Sequence, residues 1–283
     1  MRITLLLILS FFSISSFSQN EIESNRDFTL TENKGKFFFY WGYNRTKYGK
    51  SDITWKGPGY DFTLSDVEAT DLPKEFSSVY YNPAKLTIPQ FNLRLGYFIN
   101  DKYAVAAGWD HMKYRSLHGS IATFKGNIGA DVSPTYSSLT DGEKVRIDND
   151  SFVRMEHSDG FNVLNLNVER HDLLWSFKDD KIALKLVSGA GLGIAMPWTN
   201  SRVFEKTNDD RIHFSGIGAQ FFLAPEVLFF KRIFVRATGQ FGFANMWDIA
   251  ITPRTDKSDT HAEQVIYYFE RSVVVGYNFK IFK

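Results

Sequence analysis

The stretch Gln90–Tyr114, QFNLRLGYFINDKYAVAAGWDHMKY, decides the fold of this chain. Apolar side chains occupy every second position in residues 91–97 and again in residues 103–109, with polar or small residues between them. This two-residue period predicts two β-strands, each with one apolar and one polar face. The Asn100-Asp101 pair between them is a turn signal, so the stretch predicts an antiparallel hairpin.

The same period recurs along the rest of the chain. Eight segments carry it: Lys36–Asn44, Gln90–Ile99, Tyr103–Tyr114, Asn162–Phe177, Lys181–Trp198, Phe214–Phe230, Ile233–Trp247 and Ile266–Phe282. Each has about the length that a tilted transmembrane strand needs, roughly 9–11 residues or more. The pattern therefore predicts an all-β protein built from strands long enough to cross a bilayer.

The connections between these segments alternate in length. The short ones are Asn100-Asp101, Lys178–Asp180 and Lys231-Arg232, and the long polar ones are Arg45–Thr87, Arg115–Gly160, Thr199–Arg211 and Asp248–Gln264. Short turns on one side and long loops on the other are typical of outer-membrane β-barrels, with the short turns in the periplasm. A soluble β-sandwich also alternates, but its connections do not separate by side in this way.

Eight strands are the best count, and ten are the alternative. With eight, both chain ends lie in the periplasm, as single-chain barrels require. Arg45–Thr87 then becomes one outer connection. Its strand-like stretches Asp52–Trp55 and Tyr60–Leu64 predict a hairpin that extends beyond the membrane.

Composition agrees with a barrel and excludes several other classes. Aromatic residues make up 16% of the chain, with 27 phenylalanines, yet the mean hydropathy is −0.24. A transmembrane barrel accounts for both values, because only every second strand residue meets lipid. The chain has no cysteine, which excludes disulfides, thiolate catalysis, cysteine-ligated metals and a lipoprotein anchor.

The N-terminus has the pattern of a secretory signal peptide over residues 1–18. Arg2 supplies the positive charge, Ile3–Phe12 the apolar core, and Ser16-Phe17-Ser18 the small residues before a cleavage site near Gln19. The apolar run falls short of the roughly 20 residues of a spanning helix. We expect a signal peptide over 1–18, a periplasmic leader over 19–34 and a barrel domain over 35–283.

The polar faces of the strands predict what fills the barrel. An eight-stranded barrel has an interior just wide enough for side chains. The expected lumen network consists of Arg94, Asp110, Glu169, Lys185, Gln220, Glu226, Arg236, Gln240, Glu270 and Lys280. Its four cations and four acids can pair with one another, and an unpaired buried charge would be costly. We therefore expect a closed lumen that conducts poorly. Inward glycines such as Gly189, Gly191 and Gly193 leave room for long side chains from the opposite wall.

The mature chain resembles the small, eight-stranded outer-membrane β-barrels of Gram-negative bacteria from about Lys36 onward. The hairpin GYFINDKY at Gly96–Tyr103 is typical of them, and so is a last strand in which Tyr277, Phe279 and Ile281 alternate. Phe282 is penultimate, whereas such barrels commonly end on the aromatic residue. The resemblance is architectural and carries over no functional residue, because the class includes anchors, adhesion proteins, small-solute channels and lipid A-modifying enzymes.

Candidate catalytic residues exist, but no motif joins them. His213 and Ser215 lie two apart near the outer start of a strand, Asp110-His111 lies near the outer end of another, and Arg170-His171-Asp172 lies on a third. Outer-membrane lipid A deacylases use a Ser–His pair with a carboxylate, and outer-membrane palmitoyltransferases use His, Asp and Ser. No local motif of either family is present, so we predict a non-catalytic protein, with a lipid A-modifying or phospholipase-type enzyme as an alternative.

The sequence predicts no metal and no cofactor. Asp148-Asn149-Asp150 and Asn208-Asp209-Asp210 are acidic clusters in outer loops, where turn chemistry and solvation explain them more simply than a Ca²⁺ site. The glycine run Gly189–Gly193 lacks the strand–turn–helix context of a nucleotide loop. Net charge is +1 with no basic stripe, so no nucleic-acid partner is expected.

The sequence thus predicts a non-catalytic scaffold in the cell outer membrane whose long loops do the work. Expected partners are outer-membrane lipid and lipopolysaccharide, the barrel-assembly machinery during insertion, and a ligand or protein bound through Arg45–Thr87 and Arg115–Gly160. A subunit of a larger outer-membrane complex and a narrow small-solute channel are further alternatives.

Overall fold

A computed structural model describes residues 32–75, 77–80, 82, 85, 88–177, 181–253 and 259–281, with the backbone only for 209–211. The expected signal peptide, most of the leader, the Lys178–Asp180 turn, and Phe282 and Lys283 lie outside the described residues. So do the side chains of Asp209 and Asp210.

The described part of the chain consists mainly of strands. They are β1 (Phe37–Tyr48), β2 (Ser51–Gly57), β3 (Tyr60–Val67), β4 (Ala69–Thr70), β5 (Phe91–Phe98), β6 (Tyr103–Ser116), β7 (Ile121–Ile128), β8 (Lys144–Arg146), β9 (Val153–Phe177), β10 (Ile182–Ala195), β11 (Trp198–Val203), β12 (Lys206–Ile212), β13 (Gly216–Phe229), β14 (Ile233–Ala250) and β15 (His261–Phe279). One 3₁₀ turn covers Ser78–Tyr80. Within the described ranges, no helix has the length and apolar character needed to cross a bilayer.

Eight of these strands close into a barrel. Antiparallel pairing runs in the order β1, β5, β6, β9, β10, β13, β14, β15, and β15 pairs with β1 to close the ring. The closing register runs from Phe37 opposite Phe279 to Tyr48 opposite Tyr268. The eight segments with alternating sequence are these eight strands, which confirms the predicted closed antiparallel barrel.

The outer wall of the barrel is apolar at mid-height. Leu166, Leu192 and Val273 are 70%, 73% and 58% exposed, because they point away from the lumen on their strands. A continuous apolar surface of this kind is stable in lipid and not in water. Aromatic side chains border this apolar band on both sides: Phe37, Tyr97, Tyr103, Trp175, Phe177, Tyr277 and Phe279 at the turn end, and Trp41, Tyr43, Trp109, Trp198, Phe214 and Trp247 at the loop end. Aromatic residues favour the interfaces of a bilayer, so the two borders mark its edges.

Side-chain and backbone geometry explain the short turns. Asn100 Oδ1 accepts the N–H groups of Lys102 and Tyr103 at 2.9 and 2.8 Å, as an Asx turn does. Asp101 ties down the end of the leader, because its carboxylate accepts the N–H groups of Lys34 and Asn33, which lowers its pKa.

The turn between β13 and β14 lies one residue earlier than predicted. Phe230 and Lys231 adopt φ values of 52° and 59°, and Arg232 leads into β14. Positive φ at two successive positions is the geometry of a tight hairpin turn, which the Lys231-Arg232 prediction had placed one residue further along.

The long outer connections are largely folded into a second β-layer above the membrane. β2 and β3 form the predicted hairpin, and β2 pairs with the outer end of β15. β3 pairs with β7, and β7 pairs with β8. The β11–β12 hairpin pairs with residues 153–156 of β9. Arg115–Gly160, expected to be a polar connection, therefore contains two strands and the first part of a third. We call these strands above the membrane the extracellular sheet.

One apolar core holds the extracellular sheet together. Trp55, Phe62, Phe124 and Phe152 are each no more than 1% exposed. The Phe62 ring lies 5.8, 5.9 and 6.0 Å from the rings of Phe124, Phe152 and Phe204, so four strands or loops meet at this side chain. Burial of these large aromatic side chains stabilises the extracellular sheet.

Candidate functional site

The lower half of the lumen contains an ion-pair cluster centred on Arg236. Its guanidinium contacts Glu226 at 2.7 and 2.9 Å and Glu169 at 3.1 Å, and Glu169 also contacts His171 Nε2 at 3.1 Å. All four side chains are no more than 2% exposed. Arg236 also lies over the Tyr40 ring at 5.0 Å, which adds a cation–π contact.

A second cluster lies nearer the outer end of the lumen, around Asp110. Arg94 binds its carboxylate with two parallel hydrogen bonds of 2.6 and 3.0 Å, a geometry that only arginine provides. Asn92 bridges Asp110 and Glu270 at 2.6 and 2.7 Å, and Asn165 donates to Asp110 at 2.9 Å. A Cβ at position 108 would collide with the Arg94 side chain, so glycine there leaves the room that Arg94 needs.

Amide side chains extend the Asp110 cluster along the lumen. Gln220 donates to Asn167 at 2.9 Å, Asn167 donates to Asn165 at 2.6 Å, and Gln240 donates to Asp110 at 3.3 Å. Lys185 is 1% exposed and lies opposite Glu226 in the pairing of β10 with β13. Nine of the ten residues named from the sequence thus point into one buried polar layer.

Lys280 does not belong to this layer. It was expected to be the fourth inward cation, but β15 ends at Phe279 and the Lys280 side chain is exposed just after the strand. Alternation along a strand predicts which way a side chain points only while the strand continues. The prediction for Lys280 was wrong for that reason.

Aromatic layers lie below and above the polar layer. At the turn end, Phe38, Phe98 and Phe234 are 0–1% exposed and cluster with the His171 ring. At the loop end, Tyr114, Phe161 and Tyr268 are buried against the apolar core of the extracellular sheet. Aromatic residues at the inward positions of the strands could have predicted both layers. The expected lumen network named polar residues only and did not include them.

The candidate catalytic residues do not form a catalytic arrangement. His213 Nε2 lies 2.8 Å from Asp248 Oδ2, but the buried Ser215 hydroxyl donates to the backbone oxygen of His213 at 3.4 Å. Asp110 points into the lumen, while His111 contacts Asn162 at 2.8 Å. Within the described residues, neither contacts His213 or Ser215, so no nucleophile is paired with a base in this group.

Of the two acidic clusters, the Asp148–Asp150 turn is described with its side chains. Asp148 and Asp150 lie with His118 within 4.8 Å of one another by their ligand atoms. The Asp148 carboxylate already accepts the N–H of Asp150 at 2.8 Å and the Ser151 hydroxyl at 2.8 Å, and these hydrogen bonds lower its pKa. The hydrogen bonds of the turn are thus enough to explain why acidic residues occur at Asp148 and Asp150.

A buried histidine above the membrane makes stability depend on pH. Burial lowers the pKa of His157 to about 3, whereas the unfolded chain protonates near 6.5. The unfolded state therefore binds the extra proton below pH 6.5, and stability falls as the pH drops toward 3. We expect His157 to reduce the free energy of unfolding by about 2 kcal/mol between pH 7 and pH 5.

Urea titrations followed by tryptophan fluorescence at the two pH values measure this effect. His157→Gln should show a smaller pH-dependent loss than the wild type, whereas the exposed His118→Gln should behave like the wild type. Equal losses for His157→Gln and the wild type would contradict the assignment.

A closed antiparallel ring with an apolar outer wall, two aromatic borders and a charged interior defines a transmembrane β-barrel, and the protein lies in the outer membrane. No family model matches the chain. Solved structures with similar folds include the outer membrane protein AlkL (12% identity, TM-score 0.41, covering 92% of this chain and 98% of that one). OprG of Pseudomonas aeruginosa is 10% identical with a TM-score of 0.39 (88% and 97%), and Ail of Yersinia pestis is 12% identical with a TM-score of 0.34 (87% and 99%).

One curated protein matches part of the sequence. Extracellular metalloproteinase 4 of Arthroderma gypseum is 29% identical over 150 residues, which are 51% of this chain and 23% of that protein. The chain thus spans about a quarter of the length of the curated relative it matches. None of the six histidines here is followed by glutamate, so the sequence holds no His-Glu-x-x-His zinc motif.

Proposed function

We propose that this protein is a closed, non-catalytic outer-membrane scaffold that carries the extracellular sheet as its contact surface for lipopolysaccharide, a ligand or a protein partner. The observation that carries the proposal is the continuity between barrel and sheet. Tyr268 on a barrel strand and Phe161 belong to the same apolar core as Trp55 and Phe62 of the sheet. A rigid connection of this kind holds a contact surface at a constant orientation above the membrane.

Because the lumen is filled with side chains, the structure favours the scaffold function and argues against a channel. Polar side chains in the middle layer bind one another through charge-assisted hydrogen bonds, and aromatic side chains lie on both sides of them. Ions crossing the lumen would have to break these pairs at considerable cost. Catalysis has less support, because the Ser215 hydroxyl is buried and bonded to backbone.

Conductance in planar bilayers tests the closed state. We expect the pure protein to insert without giving stable channels at moderate voltage, while a general porin inserted under the same conditions gives large, stable steps. Stable channels from the pure, folded protein would overturn the proposal and favour the small-solute channel.

A further inference from the structure

A cleft with three cations lies on the lipid-facing side of the barrel, at the outer edge of the membrane. It has a volume of about 380 Å³ and opens where β1 leaves the apolar band. Arg45, Lys47 and Arg271 line it, together with Thr70 and Asp71 from the segment that follows β3. Arg45 and Lys47 lie on the same outward face of β1 as Trp41 and Tyr43. They are two and four residues beyond Tyr43, and each pair of residues advances the strand by about 7 Å. That height is the headgroup region of the outer leaflet.

The register brings two of these cations together. Arg45 on β1 lies directly opposite Arg271 on β15, and both point outward. Like charges opposite each other in an antiparallel pair are destabilising. Among the described residues, no carboxylate forms an ion pair with Arg45, Lys47 or Arg271. An anion between the two arginines would turn this repulsion into attraction.

Neutral groups hold Arg45 in position. Its Nη1 donates to the Asn44 carbonyl at 2.8 Å and its Nη2 to the Tyr80 hydroxyl at 2.9 Å. Neither partner reduces the positive charge, and three N–H donors of the guanidinium remain for a ligand. The side chain is thus oriented in advance, which lowers the entropy cost of binding.

Asp71 does not neutralise the cleft. Its carboxylate accepts hydrogen bonds from Gln90 Nε2 at 2.5 Å, Leu72 N–H at 2.9 Å and Thr46 N–H at 3.2 Å. Burial raises the pKa of Asp71, while its hydrogen bonds and the nearby Arg45 charge lower it. Three cations therefore face one carboxylate that is already bound by other groups.

We propose that this cleft binds a phosphate group of lipid A, the anionic glycolipid of the outer leaflet. Arginine and lysine at one surface match phosphate through charge-assisted hydrogen bonds. The position at headgroup height, next to the exposed Val273, places acyl chains against the apolar wall while the phosphate meets Arg45 and Arg271. This inference rests on the proposed scaffold function and assigns one lipid contact to it.

Binding of purified lipid A to the protein in detergent tests the site. The probes are bisphosphorylated lipid A and the same lipid with both phosphates removed. The test variant is the triple substitution Arg45→Gln, Lys47→Gln and Arg271→Gln. Its matched control, Lys102→Gln with Lys181→Gln and Arg232→Gln, removes three charges from exposed positions at the turn end of the barrel, away from the cleft and from the extracellular sheet.

We expect the cleft variant to raise the Kd for bisphosphorylated lipid A on the order of tenfold or more, and to leave binding of the dephosphorylated lipid unchanged. The control should bind both probes like the wild type. Equal weakening in both variants, or no change in the cleft variant, would overturn the site. Displacement of lipid A by millimolar inorganic phosphate would instead identify a free-phosphate site and overturn the lipid assignment.

Single substitutions keep the test decisive if the triple variant does not fold. Lys47 and Arg271 are exposed, so Lys47→Gln and Arg271→Gln should keep the heat-modifiable migration of a folded barrel. Each should weaken binding by a smaller factor, and Arg271→Lys should retain most of it. Folded single variants with wild-type affinity would overturn the proposal. Bilayer conductance tests the closed scaffold separately, so failure of the lipid site is distinguishable from failure of that function.

Discussion

Arg236→Met should lower the free energy of unfolding by about 3–5 kcal/mol, because it leaves two buried carboxylates without their shared cation. Glu169 and Glu226 are no more than 2% exposed and both contact this guanidinium. Methionine has a similar length but offers neither charge nor hydrogen bonds. The measurement is urea unfolding of the barrel in lipid vesicles, followed by tryptophan fluorescence.

Two further variants separate charge from packing. Arg232→Met, at the exposed turn before β14, removes an arginine that donates to the Tyr277 hydroxyl at 3.3 Å, and it should change stability by less than about 0.5 kcal/mol. Combining Arg236→Met with Glu169→Gln should recover much of the loss, because one buried charge of each sign is then removed and Lys185 still lies opposite Glu226. Equal stability of Arg236→Met and Arg232→Met would show that the cluster contributes nothing.

Phe62→Ala should destabilise the extracellular sheet by about 3–5 kcal/mol while the barrel below stays folded. Phe62 is 1% exposed and contacts aromatic rings from β7 and from two loops, so alanine leaves a cavity that those rings fill only in part. Limited proteolysis of intact vesicles, combined with the heat-modifiable migration of the barrel, measures the two parts separately.

The expected result is faster cleavage between β2 and β8, with unchanged migration of the protected barrel. Ile121→Ala serves as the control, because Ile121 lies on β7 and is 49% exposed. It should be cleaved at the wild-type rate. Unfolding of the whole barrel in Phe62→Ala would mean that sheet and barrel form one cooperative unit, and wild-type protection would mean that the core does not stabilise the sheet.

The sequence alone was sufficient to predict the strands of the barrel wall. Lipid on one side and a filled lumen on the other impose a strict two-residue period on those strands. The hairpin at Gly96–Tyr103 shows this: Tyr97 faces lipid, and Phe98 is buried inside. The same period identified nine inward polar residues. It did not identify their partners, since Arg94 binds Asp110 and Arg236 binds Glu226 only through the pairing of neighbouring strands.

The extracellular sheet was not predicted beyond its first hairpin. Residues of β7 and β8 show little alternation of their own. The strand form of β7 depends on pairing with β3 across about 60 residues of chain, and that of β8 depends on pairing with β7. The cleft at Arg45 likewise exists because β15 returns to β1 at the end of the chain. The sequence determined the direction of each side chain, a local property, while ring closure and strand pairing decided which side chains meet.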